Sequence, residues 1–178
     1  MKKSFFIFIL ICFQLNSWAS FLIINMDNTQ TNHLKAYGIA FWVLENQQEV
    51  DWLLNYKGGS FMMKYKSSIE KECKIRGVSY KIIADVQSSQ ILREITAPEI
   101  NQDVVKLEKA PKIAVYSPKS KLPWDDAVTL ALTYAEIPYD IVYDQEVLNG
   151  SLPLYDWLHL HHEDFTGQYG KFYSAYKN

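Results

Sequence analysis

Short apolar runs alternate along this chain with segments in which apolar residues recur every three or four positions. Runs of this length are typical of buried strands, and the periodic segments have the spacing of amphipathic helices. Polar clusters, glycines and prolines separate the two kinds of segment. The pattern predicts strands over residues 21–25, 50–54, 78–84, 112–116, 139–143 and 155–160. It predicts helices over 33–46, 67–76, 88–96 and 124–137, a short turn or helix over 144–149, and a helix or irregular crossing over 99–109.

Strands that alternate with helices indicate βαβ units, in which the strands run parallel and helices cover both faces. We therefore predict an α/β fold of three layers, with a mostly parallel sheet of about six strands, of the flavodoxin-like kind. The 178 residues favour a single domain, which we place at residues 20–178. A further helix begins near Phe172 just as the chain stops, so we expect this domain to be incomplete at its C-terminus.

The first nineteen residues have the pattern of a secretory signal peptide. Lys2 and Lys3 precede an apolar stretch at residues 5–13, and Ser17 and Ala19 supply the small side chains of a cleavage site. Cleavage between Ala19 and Ser20 predicts an exported protein, in the periplasm or outside the cell, without a stable membrane span. The alternatives are an uncleaved membrane anchor and a lipoprotein modified at Cys12, although the stretch is short for a span.

Charge and cysteine content exclude nucleic-acid binding and an intrachain disulfide. The net charge is −2 and the pI about 6.1, so the chain lacks the basic surface that nucleic-acid binding requires. Cys12 and Cys73 are the two cysteines, and only Cys73 remains after cleavage, which excludes an intrachain disulfide. Because Cys73 follows Ile69 at helical spacing, we expect a small core residue rather than a reactive thiol.

Candidate chemistry is concentrated at the end of the last predicted strand. Three of the four histidines stand within four positions and are followed at once by two carboxylates. Because ligands bind at the carboxyl edge of open α/β sheets, we predict a ligand-binding or catalytic edge there. Its residues are His161, His162, Glu163 and Asp164, with His159 and His161 on one face of the strand.

The same cluster has the side-chain types of a metal site. Imidazole and carboxylate groups bind zinc and similar ions, and a catalytic site uses three of them. The candidate ligands are His159, His161 and Asp164. The spacing matches no zinc signature, so two interpretations remain beside it: a polar active-site edge without a cofactor, and structural histidines.

A second polar segment, residues 25–31, follows the first predicted strand. In a single parallel sheet it would share the carboxyl edge with the histidine cluster, which makes Asp27 and His33 candidate substrate-binding residues. The alternative for this segment is an Asx turn followed by a helix cap. The loop at residues 56–60, with Gly58 and Gly59, favours a plain turn over an anion site.

Four strings of residues carry a family resemblance that runs over nearly the whole chain after residue 19. They are TNHLKAYG at 31–38, VDWLLNY at 50–56, WDDA at 124–127 and HLHHEDFTG at 159–167. With them the chain resembles the N-terminal part of a family of secreted proteins from Bacteroidetes-type bacteria that carries the label asparagine synthetase B. The resemblance implies a fold of the class I glutamine amidotransferase type, without the segment that carries the cysteine nucleophile of that fold.

The resemblance does not extend to the chemistry of asparagine synthesis. Position 2, where such enzymes carry a cysteine, is Lys2. Gly58-Gly59 is followed by Ser60 and Phe61, which does not match the Ser-Gly-Gly-x-Asp-Ser pyrophosphate loop of such enzymes. We therefore expect an amidotransferase-like or hydrolase-like scaffold without its own nucleophile and without a cofactor. The alternatives are a hydrolase that uses zinc or another divalent metal, and a non-catalytic binding or assembly module with a small-molecule or protein ligand.

Overall fold

The computed structural model describes residues 19–117, 126–160 and 174–175. These residues contain two β-sheets and five α-helices. Within these ranges no helix is both long and apolar enough to cross a membrane. The elements, in chain order, are β1 (Ala19–Ile24), α1 (His33–Glu45), β2 (Val50–Leu54), β3 (Ser60–Lys64), α2 (Ser67–Arg76), β4 (Lys81–Ala84), α3 (Asp85–Ile95), β5 (Asp103–Leu107), β6 (Ile113–Tyr116), α4 (Ala127–Ala135), β7 (Asp140–Val142), α5 (Asp144–Leu148) and β8 (Trp157–Leu160).

The larger sheet, sheet A, has five strands in the order β4-β1-β3-β2-β5, and every neighbouring pair is antiparallel. Strands β1 and β2 are joined through α1, and β3 lies between them in the sheet. Strand β4 follows α2 and adds at the outer side of β1. This is the β-α-β-β-α-β connectivity of the split βαβ arrangement, extended by α3 and the edge strand β5.

The predicted three-layer fold with one mostly parallel sheet is wrong. Residues 55–59 form a short hairpin connection rather than a loop at the end of a parallel strand, and Asn55, Lys57, Gly58 and Gly59 all have positive φ there. The hairpin turns the chain back on itself, so β3 pairs antiparallel with both β2 and β1. Strand β3 was not predicted, and β5 occupies part of the segment where we expected a helix or an irregular crossing.

Sheet A is buried on both faces because its strands direct apolar side chains alternately to each. Helices α1 and α2 cover one face, and α3 covers part of the other. The first face is built from Leu22, Ile24, Phe61 and Met63, packed against Ile39, Val43, Ile69 and Cys73 of the two helices. The second is built from Ile23, Leu53 and Met62, packed against Ile91, Leu92 and Ile95 of α3.

The smaller sheet, sheet B, is the parallel part of the protein. Its strand order is β7-β6-β8, and both pairings are parallel. Helix α4 covers the face that carries Val115, whereas Val147 of α5 lies over the opposite face, beside Tyr116 and Leu158. The strand order therefore reverses at β6, as it does in doubly wound sheets.

Helix α1 connects the two sheets. One side of it packs on sheet A, and Phe41 packs with Ile113 and Val115 of β6 and Leu132 of α4. At Gly38 the backbones of α1 and α4 approach so closely that an added Cβ would lie 1.9 Å from the carbonyl oxygen of Ala135.

The end of α4 is held by charge. Glu136 has φ +60°, a conformation that glycine adopts more easily than glutamate. Its carboxylate pairs with Lys35 of α1 at 2.5 Å and with Arg76 of α2 at 3.3 Å. Lys35 is the main reason that the pKa of Glu136 is lowered. These pairs offset the unfavourable backbone conformation and tie three helices together at one point.

The close approach at Gly38 predicts the sign of a substitution. Alanine normally stabilises a helix by about 1 kcal/mol relative to glycine. In Gly38→Ala the new methyl group must displace the backbone of α4, so we expect a net loss of about 1–3 kcal/mol. Urea unfolding followed by circular dichroism measures the loss, with Glu45→Ala at the exposed end of α1 as the control. An unchanged or raised midpoint in Gly38→Ala would show that α1 and α4 are not in contact.

A second polar cluster fastens α2 to the strands on either side of it in the chain. The carboxylate of Glu70 accepts hydrogen bonds from the hydroxyls of Tyr65 at 2.7 Å and Tyr80 at 3.0 Å, and from Lys74 at 2.6 Å. These donors, the Lys74 ammonium first, lower the pKa of Glu70 to about 2. Because they stabilise the ionised form in the folded protein, the cluster stabilises the fold only while Glu70 is charged.

The depressed pKa of Glu70 gives a pH window for its contribution. The contribution is complete above the ordinary pKa of 4.5 and is lost as the pH falls towards 2. We expect Glu70→Gln to be less stable than the parent at neutral pH, and the difference to shrink between about pH 4.5 and pH 2. Denaturant unfolding of both proteins across this range measures it, with Glu99→Gln as the control. A difference that is constant with pH would contradict the assignment.

Candidate functional site

The carboxyl edge of sheet B is the place where this fold favours a ligand site. Strands β6 and β8 are neighbours and parallel, and the helices on either side of β6 lie on opposite faces. Open α/β sheets bind ligands at such a reversal of strand order, outside the carboxyl ends of the strands. His159 is the penultimate residue of β8, and Ser117 directly follows β6.

A carboxylate and an imidazole form a pair at this edge. His159 is the register partner of Val115, whose side chain packs under α4, so His159 also faces α4. There its Nε2 atom lies 3.2 Å from Oδ2 of Asp126, the residue that caps α4. The other carboxylate oxygen, Oδ1, accepts from the backbone N–H groups of Val128 at 2.6 Å and Thr129 at 3.1 Å.

The pair is held in a largely dry environment. The Asp126 side chain is 6% exposed and that of His159 is 19% exposed. Ser117 and Thr129 are buried as well, so several polar residues are enclosed at the ends of β6 and α4. A carboxylate at a helix N-terminus is stabilised by the backbone N–H groups and the helix dipole. Asp126 can therefore remain buried as an acceptor and fix the orientation of the histidine ring.

Most of the histidine cluster predicted from the sequence lies outside the described residues. This applies to His161, His162, Glu163 and Asp164. Of the predicted metal ligands, the structure describes His159, and it places this residue against Asp126. Within residues 19–117, 126–160 and 174–175, no three histidine, cysteine or carboxylate side chains are grouped to hold a metal ion.

Asp27 and His33, the candidate substrate-binding residues, lie at the end of β1 in sheet A. Asp27 forms the Asx turn that was the alternative interpretation, because its Oδ1 accepts from the backbone N–H of Thr29 at 3.0 Å. The Thr29 hydroxyl and backbone lower the pKa of Asp27. His33 Nε2 lies 3.1 Å from the carbonyl oxygen of Met26, and Asn32 caps α1 through Lys35 N–H.

The structure does not place these two residues on the same sheet edge as His159, because β1 and β8 belong to different sheets. Asn32, next to His33, contacts the hydroxyl of Tyr134 at the last turn of α4. Asp126 caps the first turn of that helix. The nine residues of α4 span about 13 Å. The shared edge that motivated the pairing of Asp27 with the histidine cluster is therefore absent from the described fold.

Cys73 is a core residue, as the sequence predicted. It is fully buried between α2 and sheet A, and desolvation raises the pKa of its thiol to about 12. The thiolate is the nucleophilic form, so Cys73 does not supply a nucleophile at neutral pH.

The main partner of His159 was missed at the sequence level. In the sequence, Asp125 and Asp126 stand only as two acidic residues at the start of the helix predicted over 124–137. The signal for Asp126 is its position as N-cap of the helix that follows the central strand of the parallel sheet. That signal requires knowing that β6 and β8 are adjacent, which follows from the pairing of the strands and not from local sequence.

No protein-family model, curated protein or solved structure matches the chain. The case for a function therefore rests on the residues and their geometry.

Proposed function

We propose that the protein is an exported protein that hydrolyses a small polar substrate at the carboxyl edge of sheet B, with His159 as the general base. The observation that carries this proposal is the pairing of His159 with the buried Asp126. A histidine oriented by a buried carboxylate is the arrangement by which hydrolases hold an imidazole in one tautomer. The hydrolase-like expectation from the family resemblance agrees with it.

The chemistry follows from the donor and acceptor roles of the pair. A carboxylate only accepts, so Nε2 of His159 donates its proton to Asp126, and Nδ1 of the neutral ring carries a free lone pair. Nδ1 can then remove a proton from water as the water oxygen adds to the carbonyl carbon of an ester or amide. The imidazolium, stabilised by Asp126, returns that proton to the leaving oxygen or nitrogen. Water is the nucleophile in this proposal, and the Cys73 thiol does not compete with it because it is buried.

A second candidate is a metal-dependent hydrolase. Histidines that bind a metal commonly donate their other ring N–H to a carboxylate, as His159 does to Asp126. The described residues do not complete such a site by themselves, and His161 and Asp164 would have to supply the further ligands. A metal in that position would polarise the carbonyl group of the substrate.

Replacement of His159 by glutamine tests the proposal. Glutamine can still donate a hydrogen bond to Asp126, so the fold should be retained while the base is lost. We expect hydrolysis of p-nitrophenyl acetate by residues 20–178 to fall about 10²–10⁴-fold in His159→Gln. Asp126→Asn should also lower the rate, because the asparagine no longer holds the ring as a carboxylate does.

The control is Tyr116→Phe, which removes a hydrogen bond to Asp144 on the opposite face of sheet B. It should leave the rate unchanged. Equal rates in the parent and in folded His159→Gln would reject catalysis and favour the non-catalytic binding or assembly module. Metal analysis of protein purified without chelator separates the two catalytic candidates: near-stoichiometric zinc, lost in His159→Gln, would favour the metal-dependent hydrolase.

Export is the remaining part of the proposal, and it rests on the signal-peptide pattern of residues 1–19. Ser20 lies in β1, where its carbonyl oxygen accepts from the backbone N–H of Tyr65 at 2.9 Å. Cleavage between Ala19 and Ser20 would keep this bond and nearly the whole strand. The proposed cleavage site is therefore compatible with the folded sheet.

Export is tested by expressing the full chain, including residues 1–19, in a Gram-negative host and measuring the mass of the periplasmic protein. We expect the periplasmic protein to begin at Ser20. Because signal peptidase requires a small side chain at the residue before the cut, Ala19→Gln should leave a precursor of full mass. Ser20→Thr, just after the cut, is the control and should be processed. Full-length protein in the cytoplasm in all three cases would contradict the proposal.

A further inference from the structure

A cavity lies beside the end of β1, on the face of sheet A that α3 covers. Neither His159 nor Asp126 lines it. Its volume is about 270 Å³, enough for a small molecule of a few heavy atoms. The two strands and the hairpin contribute Ile23, Asn25, Lys57 and Lys81 to its lining. Helix α3 contributes Ile91 and Glu94.

One wall of the cavity holds a buried polar atom that no residue described by the structure pairs with. Asn25 is 8% exposed, and none of the described residues donates a hydrogen bond to its Oδ1 atom. A buried acceptor left unpaired costs about 1–3 kcal/mol, and most such atoms in folded proteins are paired. Asn25 lines the cavity, although this oxygen itself has almost no accessible surface. A ligand that carries an N–H group could satisfy the oxygen once the side-chain amide turns towards the cavity.

The charges around the cavity are of both signs. Lys57 and Lys81 form no salt bridge with any residue that the structure describes, and both lower the pKa of nearby Asp27 through space. Glu94 on α3 stands on the other side, where Gln90 donates to it at 2.9 Å. Glu94 and, above all, burial raise the pKa of Tyr56. The cavity is therefore dipolar, with cations on the strand and hairpin side and a carboxylate on the helix side.

We propose that this cavity binds a small zwitterion of the α-amino acid class. Lys57 and Lys81 would hold its carboxylate, Asn25 Oδ1 would accept from its ammonium group, and Glu94 would balance the ammonium charge. Its aliphatic part would lie on Ile23 and Ile91. A simple anion fits less well, because it would leave the Asn25 oxygen unpaired and would meet the carboxylate of Glu94.

Three molecules with related skeletons test the proposal in the chain from residue 20 to 178. L-Alanine has both charged groups, propionate lacks the ammonium group, and ethylamine lacks the carboxylate. Methyl NMR of protein labelled at isoleucine locates binding, because Ile23, Ile83 and Ile91 line the cavity whereas Ile39 and Ile69 lie on the opposite face of sheet A. We expect alanine to shift the first group alone, with a dissociation constant on the order of 1 mM.

Propionate and ethylamine should bind at least tenfold more weakly than alanine, since each lacks one of the two charged contacts. Lys57→Gln and Lys81→Gln should each weaken alanine binding about tenfold. Lys71→Gln, which removes one exposed charge from α2, is the control and should leave it unchanged.

Asn25→Leu tests the unpaired oxygen with a side chain of similar shape. Because no hydrogen bond to Oδ1 is lost, its unfolding midpoint should equal or exceed that of the parent, while alanine binding falls at least tenfold. If Asn25→Leu does not fold, Asn25→Ser supplies the same comparison.

Two results would overturn the proposal. The first is no methyl shift with alanine up to about 50 mM, well above the expected dissociation constant, which would indicate a cavity that holds only water. The second is equal binding of alanine and propionate, which would show that the ammonium group is not recognised. Neither result bears on His159 or Asp126, so the hydrolase proposal stands or fails separately.

Discussion

The contact between α1 and α4 at Gly38 is the constraint on which the arrangement of the two sheets depends. Sheet A buries one side of α1. Sheet B and α4 contact the same helix at Phe41. Only a residue without a side chain allows the backbone of α4 to come this close. Lys35, Arg76 and Glu136 then fix the end of α4. Asp126 caps the first turn of α4. The contacts that hold the C-terminal end of α4 therefore also fix the position of the candidate site at its N-terminal end.

In the proposed function, the pair of Asp126 and His159 performs a structural and a chemical task with the same atoms. As helix cap and hydrogen-bond acceptor, Asp126 joins α4 to β8, two elements that are distant in sequence. A buried carboxylate requires such donors, since burial without them is costly. Oδ1 accepts from the backbone N–H groups of the helix, and Oδ2 accepts from the histidine ring. The same carboxylate therefore caps the helix and orients the imidazole. A structural role alone would be satisfied by any donor at position 159, whereas catalysis requires the second nitrogen of a histidine.

Local signals in the sequence predicted the elements well and their assembly poorly. Leu34, Tyr37, Phe41 and Leu44 recur at helical spacing, and α1 spans them. Gly77, a common residue at helix ends, stands where α2 ends. The direction of β3 depends on a hairpin whose positive φ angles fall partly on Asn55 and Lys57, which are weak turn signals. Parallel pairing was right only for sheet B, where helices separate the strands. Asp126 could be recognised as a cap, but its meeting with His159 depends on strand order, which is not local information.

Two buried amides at the end of β1 show why buried polar residues differ in what they imply. Gln30 donates to the carbonyl oxygens of Asn25 and Ser79 and accepts from the backbone N–H of Ser79, so its burial is explained by the chain itself. It replaces strand hydrogen bonds that β1 and the segment before β4 would otherwise lack. Asn25, five residues earlier, has an equally buried side-chain oxygen that the described residues leave unpaired. The same strand end thus contains one amide that completes the fold and one that lines a cavity with an oxygen the described residues leave unpaired, and only the second gives a physical reason to expect a ligand.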